Sequence, residues 1–107
     1  MNTIAIIGAM PSELADIRKI LDNAEVKKIS GFEFFVKEYK GKTIINSCCG
    51  IAKVNSALCT QVMIDNFNPD CIINTGIAGG MNSDVKVCDV VISTEVLPHD
   101  LDLHFLK

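Results

Sequence analysis

The stretch AIIGAMPSEL, residues 5–14, contains the change of pattern that decides the fold. It begins inside an apolar run, Thr3–Ile7, without alternation of polar and apolar residues, which is typical of a central strand covered on both faces. Gly8 ends this run, and Pro11 suits the first turn of a helix, where a backbone N–H is not needed. Apolar residues then recur at helical spacing up to Asn23. The opening therefore predicts a strand, a tight elbow and a helix, as in α/β folds.

The next part of the chain predicts a hairpin followed by a second helix. Residues 25–50 are rich in aromatic and β-branched residues, and Lys40-Gly41 lies between two strand-like runs, which indicates a tight turn. These strands should be antiparallel, so the predicted sheet is mixed. From Gly50 the spacing becomes helical, and Asn68-Pro69 ends the helix. The face expected to pack on the sheet consists of Val54, Ala57, Leu58, Val62 and Ile64.

Two further strands are expected in the last third of the chain. DCIINTGIAGG, residues 70–80, predicts a buried strand that runs into a glycine-rich loop, and VCDVVIST, residues 87–94, predicts one more apolar strand. A doubly wound sheet with two helices is poorly covered on at least one face. We therefore expect residues 1–107 to be the N-terminal part of one truncated three-layer α/β/α domain with a mixed central sheet.

Composition excludes several classes of protein. The net charge of −3, without a basic block, argues against a nucleic-acid partner, and no apolar run reaches the roughly 20 residues of a membrane span. No basic leader or cleavage site precedes the first strand, so no signal peptide is predicted. Five cysteines without C-x-x-C spacing are typical of reduced core residues rather than a disulfide framework or a zinc site. A cytoplasmic protein is expected.

Two features could form a ligand site at one edge of the sheet. Glu13 lies in the first helical turn, where free N–H groups and the helix dipole favour an ionised carboxylate that could deprotonate water. The loop at residues 74–80 has three glycines within five residues, which allows close approach of a ligand. Parallel strand pairing would bring this loop beside residues 8–10. The alternatives are an ordinary helix-start acid and an ordinary tight turn.

Other candidate chemistries find little support. Asp100, Asp102 and His104 would share one face of an extended segment and could bind a divalent metal, but no other ligand cluster supports such a site. An exposed loop or a subunit contact is favoured there. The glycine spacing matches neither the dinucleotide fingerprint nor the P-loop. We therefore predict neither a metal nor a cofactor.

Four stretches taken together point to a known family: IAIIGAMPSEL, CCGIAKVNSAL, PDCIINTGIAGG and VKVCDVVIST. In this order they resemble 5′-methylthioadenosine/S-adenosylhomocysteine nucleosidases, members of the purine nucleoside phosphorylase/uridine phosphorylase superfamily. The resemblance covers essentially the whole chain. The pairing of G-A-M-x-x-E with N-T-G-x-A-G-G is more specific than either motif alone.

The resemblance implies hydrolysis of the N-glycosidic bond in methionine salvage, releasing adenine and a 5-thioribose derivative. Glu13 matches the general base that activates water, and Met10 matches a residue beside the ribose and the thio group. Ala78 and Gly79 match the loop near the nucleoside, with Gly79 in contact with substrate, and Ile77 stands where many members have serine. The family's other catalytic residues belong to a second half that these 107 residues do not include. The isolated chain is therefore expected to be inactive.

The same resemblance defines the alternatives. Phosphorylases of the superfamily carry arginine in the elbow helix and the strand loop to hold phosphate, whereas this chain has Glu13 and Asn74. Because an acid repels phosphate, a hydrolase is favoured over a phosphorylase acting on another nucleoside. A non-catalytic truncated remnant is the other alternative. A homodimer is also implied, in which Leu101, Leu103 and Phe105 would contact the neighbouring subunit.

Overall fold

The computed structural model describes residues 2–101 and opens with the strand, elbow and helix that the first residues predict. In chain order the elements are β1 (Thr3–Gly8), α1 (Pro11–Ile20), β2 (Glu25–Ile29), β3 (Phe32–Tyr39), β4 (Lys42–Cys48), α2 (Lys53–Phe67) and β5 (Cys71–Asn74). The first strand is one residue longer than predicted, and the first helix ends a few residues before Asn23. No helix among the described residues is both long and apolar enough to cross a membrane.

The five strands form one mixed sheet in the order β2-β3-β4-β1-β5. The central strand β1 is parallel to both β4 and β5, while β2, β3 and β4 form an antiparallel meander. The predicted turn at Lys40-Gly41 is confirmed, with φ angles of 50° and 77°, and Ser30-Gly31 repeats this geometry with 52° and 84°. Two successive positive φ angles match the right-handed twist of the flanking strands. The mixed sheet is therefore confirmed.

One helix lies on each face of the sheet. On one face, the Phe34 ring lies 5.2 Å from the Phe67 ring of α2. On the opposite face, Arg18 of α1 donates from Nε to Asn46 Oδ1 at 2.8 Å and stacks on Phe35 at 3.8 Å. Because successive strand residues alternate between faces, these contacts place the two helices on opposite sides. The predicted three-layer α/β/α arrangement is confirmed.

The predicted core face of α2 is wrong at most positions, although Val62 does pack against the core. Cys59 and Met63 are fully buried against the sheet, whereas the exposed fractions of Val54 and Leu58 are 72% and 54%. Apolar residues surround this helix, so their spacing alone does not select the face that packs. The sheet selects it instead: the Cys59 thiol lies 3.4 Å from the Ser47 hydroxyl, to which it donates, within the buried layer.

The strand predicted at residues 87–94 is also absent from the described residues, which have no regular structure in this segment. Val90, Val91 and Ile92 are 89%, 68% and 89% exposed. A strand needs a neighbouring edge to pair with, and an apolar run needs a layer to cover it. Within residues 2–101 this segment has no neighbouring strand and no covering layer, so it does not form a strand despite its β propensity.

The elbow between β1 and α1 is packed closely. Leu14 is fully buried, and a Cβ atom added at Gly8 would lie 2.9 Å from Leu14 Cδ2 and 3.2 Å from the Thr75 carbonyl oxygen. Neither neighbour can retreat easily, since one is enclosed by protein and the other is backbone. Gly8 therefore allows α1 and the loop after β5 to approach the end of β1 together.

We expect Gly8→Ala to lower the free energy of unfolding by about 1–3 kcal/mol, because the added methyl group overpacks the elbow. Urea denaturation of the purified protein measures this change. Gly80→Ala is the matched control, since its added Cβ would meet Val85 Cγ1 at an ordinary 3.5 Å. Equal stability of the two variants would contradict the packing argument.

Candidate active site

Three loops meet at the carboxyl ends of the parallel strands β4, β1 and β5. The pairing continues past the strands, because Cys49 N donates to Gly8 O at 2.9 Å and Thr75 N donates to Ile7 O at 3.0 Å. The elbow, the β4–α2 loop and the glycine-rich loop therefore converge. In open α/β sheets this edge is where ligands bind. The predicted approach of the elbow and the glycine-rich loop is present in the structure.

The carboxylate of Glu13 joins two of these loops. Its Oε2 accepts hydrogen bonds from the backbone N–H groups of Ala9 at 2.9 Å and Met10 at 3.0 Å, and its Oε1 accepts one from Ile77 at 3.0 Å. The local sequence explains this geometry. Pro11 starts the helix, which places Glu13 at the third helical position, where a glutamate can reach back to the residues before the helix. A single side chain therefore connects the elbow to the loop after β5.

These bonds determine the charge of the site. The Ile77 N–H, followed by that of Met10, lowers the pKa of the Glu13 carboxyl, and the Ala9 N–H contributes a smaller lowering that partial desolvation opposes. Glu13 is therefore ionised at neutral pH. An ionised carboxylate has about four acceptor positions, so three N–H donors leave roughly one free, on Oε1. That position can accept a proton from a bound water molecule.

A cavity of about 430 Å³ lies over this edge of the sheet. Glu13, Ile77 and Ala78 of the predicted site residues line it. Met10 contributes its backbone N–H to Glu13, and Gly79 lies in the same loop but outside the lining. The structure thus brings four of the five predicted residues together around one cavity or the carboxylate that lines it.

Sequence reasoning missed the third wall of the cavity, which the β4–α2 loop forms. Cys49, Gly50 and Lys53 belong to this wall. A signal was present, because Gly50 comes shortly after a strand-like run, and its φ of 87° is in the left-handed region that favours glycine. Parallel pairing of β4 with β1, which the sequence did not predict, is what places this loop beside the other two.

The thiol that lines the cavity is not activated. Burial raises the pKa of the Cys49 thiol, and the nearby Glu13 carboxylate adds a smaller rise, while a backbone hydrogen bond partly opposes the rise. Cys49 is therefore a neutral wall residue at neutral pH rather than a nucleophile. Glu13 is the group in the cavity with the charge state of a base.

Of the three side chains considered as metal ligands, the structure describes only Asp100, which pairs with a lysine. Asp100 accepts hydrogen bonds from Lys53 Nζ at 2.5 and 2.6 Å, which ties it to the start of α2. Asp102 and His104 lie outside the described residues. Within residues 2–101, no group of three or more His, Cys, Asp or Glu side chains could hold a metal ion.

Comparison with known proteins decides the family. A sequence profile described as the Phosphorylase superfamily matches residues 3–105. The chain belongs to the phosphorylase superfamily. Among curated members, it is 45% identical over 100 residues to the 5′-methylthioadenosine/S-adenosylhomocysteine nucleosidase of Bacillus subtilis, covering 94% of this chain and 43% of the relative. The chain spans less than half the length of the curated relatives it matches.

Solved structures of the superfamily agree with this membership. The nucleosidase of Neisseria meningitidis in complex with methylthio-immucillin-A has a TM-score of 0.92 and 40% identity, covering 99% of this chain and 46% of the other. The nucleosidase of Colwellia psychrerythraea in complex with adenine has a TM-score of 0.91 and 38% identity, covering 98% and 43%. The superfamily fold expected from the sequence is thereby confirmed.

The lowered pKa of Glu13 predicts how the stability of this superfamily member depends on pH. The bonds to the ionised carboxylate stabilise the fold above the ordinary pKa of 4.5, and this contribution is lost as the pH falls through the lower folded-state value. Glu13→Gln should therefore lose less thermal stability than the parent on acidification below about pH 5. Glu25→Gln, at the exposed start of β2, is the control. Parallel acid profiles for parent and Glu13→Gln would contradict this expectation.

Proposed function

We propose that this chain is the water-activating part of a nucleosidase that hydrolyses the N-glycosidic bond of 5′-methylthioadenosine and S-adenosylhomocysteine. The observation that carries the proposal is the ionised Glu13 carboxylate, which lines a cavity and retains an acceptor position. The names of the relatives in the superfamily support the reaction and the substrates. The products are adenine and a 5-thioribose derivative, and the reaction needs no cofactor.

The proposed chemistry follows from this carboxylate. The bond between the anomeric carbon and the purine nitrogen breaks, its electron pair leaves with the purine, and the sugar becomes oxocarbenium-like. A water molecule at Oε1 of Glu13 attacks that carbon while the carboxylate takes its proton. The departing purine also needs a proton, and we assign that step to a part of the protein beyond the described residues.

The remaining predicted residues have positioning roles in this proposal. Ala78 and Ile77 line the cavity, and Gly79 continues the same loop toward the nucleoside. Met10 is placed beside the ribose and the thio group. Ile77 offers its backbone N–H to Glu13, whereas its side chain is 81% exposed. The backbone of Ile77 therefore orients the base without the hydroxyl of the serine that many nucleosidases have at this position.

Charge favours water over phosphate as the nucleophile. The cavity contains the Glu13 carboxylate, which repels a phosphate dianion. Lys53 is the cation that lines the cavity, and its ammonium is engaged by the Asp100 carboxylate. A phosphorylase acting on another nucleoside is the second candidate, and its requirement for phosphate separates it from a hydrolase.

The activity assay uses a full-length hybrid, defined as this chain followed by the C-terminal part of the Bacillus subtilis relative beyond the matched region. We expect the hybrid to release adenine from methylthioadenosine in phosphate-free buffer containing a chelator, because Glu13 activates water directly. The 107-residue chain alone should release none. Activity that appears only after phosphate or a divalent ion is added would contradict the proposal.

In the hybrid, Glu13→Gln should lower kcat by roughly 10²-fold or more, with a smaller change in KM, because general-base catalysis typically contributes about 10²–10⁴. The amide cannot take the proton of water, and its NH₂ group would face a backbone N–H. Steady-state adenine release measures both constants. Asp16→Asn, on the exposed side of α1, is the control. Near-normal turnover of Glu13→Gln would show that Glu13 is not the general base and serves only as an acidic residue at the start of a helix.

The same proposal includes a homodimer in the cytoplasm that serves methionine salvage. The segment after residues 87–94 would contact the second subunit, and Leu101, the described member of the predicted patch, is 55% exposed. Leu103 and Phe105 lie outside the described residues. An exposed apolar patch of this kind is typical of an interface.

Sedimentation equilibrium of the hybrid at micromolar concentration is expected to show a dimer. Leu101→Asp should weaken the association, because it places a charge in the apolar contact. Val54→Asp on the exposed face of α2 is the comparison, since it changes the charge equally at a different surface. If the hybrid sediments as a monomer at this concentration, the proposed homodimer is wrong.

A further inference from the structure

Gly76, the first glycine of the loop after β5, lies against the Glu13 carboxylate. A Cβ atom added at Gly76 would be 2.5 Å from Glu13 Oε1, 2.9 Å from its carboxyl carbon and 3.3 Å from Oε2. Real Cβ atoms essentially never lie within 3.0 Å of another atom, as the first two of these distances would require. The space that a side chain would need at this position is therefore occupied by the carboxylate.

The backbone conformation does not explain the glycine. Gly31 and Gly41 have φ angles of 84° and 77° and open space around the missing side chain, so their turns require glycine for conformational reasons. The φ angle of Gly76 lies outside the left-handed region, so alanine can adopt its backbone. At Gly76 the requirement comes from the carboxylate instead.

We propose that Gly76 is a positioning residue for the base of the proposed nucleosidase: its missing side chain lets Glu13 Oε1 reach the Ile77 N–H. The inference rests on the proposed function, because positioning matters to catalysis only if Glu13 activates water. Gly76 lines the same cavity and would act through the Glu13 carboxylate.

The contacts of Glu13 predict which way the carboxylate would move. Its Oε2 is fixed by the N–H groups of Ala9 and Met10 within the elbow itself. The bond from Ile77 to Oε1 crosses between two loops, 64 residues apart in sequence. A methyl group at position 76 would therefore displace Oε1, the oxygen with the free acceptor position, and break the bond between the loops.

Displacement of Oε1 has a second consequence for the base. The Ile77 N–H is the largest cause of the lowered pKa of Glu13, so losing it moves that pKa upward. The ionisable side chains that line the cavity beside Glu13 are Cys49, from the β4–α2 loop, and Lys53, from the start of α2. The change leaves both in place, so the shift reports on Glu13.

The test compares Gly76→Ala with Gly41→Ala, in the turn between β3 and β4, in the full-length hybrid. We expect Gly76→Ala to lower kcat roughly 10–10²-fold with little change in KM, because misplacing a catalytic group by about 1 Å can cost 10²-fold. The acid limb of its profile of kcat/KM against pH should move to higher pH. Gly41→Ala adds the same methyl group in open space outside the cavity, so it should keep the parent kcat and pH profile.

A double variant shows whether Gly76 acts through the carboxylate. With Glu13→Gln already present, Gly76→Ala should lower kcat by less than about 3-fold, because residues that act as a unit are not additive. A full further loss in that background would overturn the proposal. The proposal would also be overturned if Gly76→Ala had a normal kcat and pH profile while Glu13→Gln had a lowered kcat. If Glu13→Gln itself keeps normal turnover, the proposed function fails instead.

Folding is monitored separately, by circular dichroism and by hydrogen exchange. Gly76→Ala should keep the fold and lose exchange protection at the Ile77 amide, while Ala9 and Met10 stay protected. If Gly76→Ala does not fold, the double variant Glu13→Ala/Gly76→Ala should fold, because Glu13→Ala removes the obstructing carboxylate. Failure of this double variant to fold would place the clash elsewhere and overturn the proposal.

Discussion

The parallel pairing of β1 with a strand on each side is the constraint on which the rest of the structure depends. Residues of β1 pair with β4 on one edge and with β5 on the other, so three carboxyl ends meet at one edge of the sheet. Everything in the candidate site follows from this arrangement. The elbow, the β4–α2 loop and the glycine-rich loop are distant in sequence, and each supplies one wall of the same cavity.

At that edge, a negative charge is held by backbone groups instead of a cation. Three N–H donors surround the Glu13 carboxylate, and they keep it ionised while leaving one acceptor position. A lysine or arginine in direct contact would also stabilise the charge, but it would attract phosphate to the cavity. Neutral donors keep the carboxylate negative without adding a cation, which is the basis of the proposed preference for water over phosphate.

The features that could be predicted from the sequence depend on local patterns. The elbow follows from Gly8 and Pro11, and the turn follows from Lys40-Gly41, because their backbone requirements are set within a few residues. The face of α2 could not be predicted, because apolar residues surround that helix and the sheet decides which of them are buried. Residues 87–94 have the composition of a strand, but strand formation depends on a partner that composition does not specify.

Some residues of the candidate site could likewise be predicted from local motifs, and others depend on the fold. Glu13 and Ile77 belong to motifs that can be read from the sequence, whereas the cavity wall from the β4–α2 loop depends on strand order. The role of Gly76 depends on a distance between residues far apart in sequence, and nothing local indicates it.

The position of β1 in the sheet also links the candidate site to the cooperativity of unfolding. Asn2 and Thr3 donate to the Asp70 carboxylate at 2.7 and 2.8 Å, so the start of β1 is fastened to a residue 67 positions away. The meander of β2, β3 and β4 is closed by short turns, but β1 is held by contacts between distant parts of the chain. Local opening that frees β1 would separate all three loops at once. The cavity therefore belongs to the same cooperative unit as the centre of the sheet, and it is lost as a whole when that unit opens.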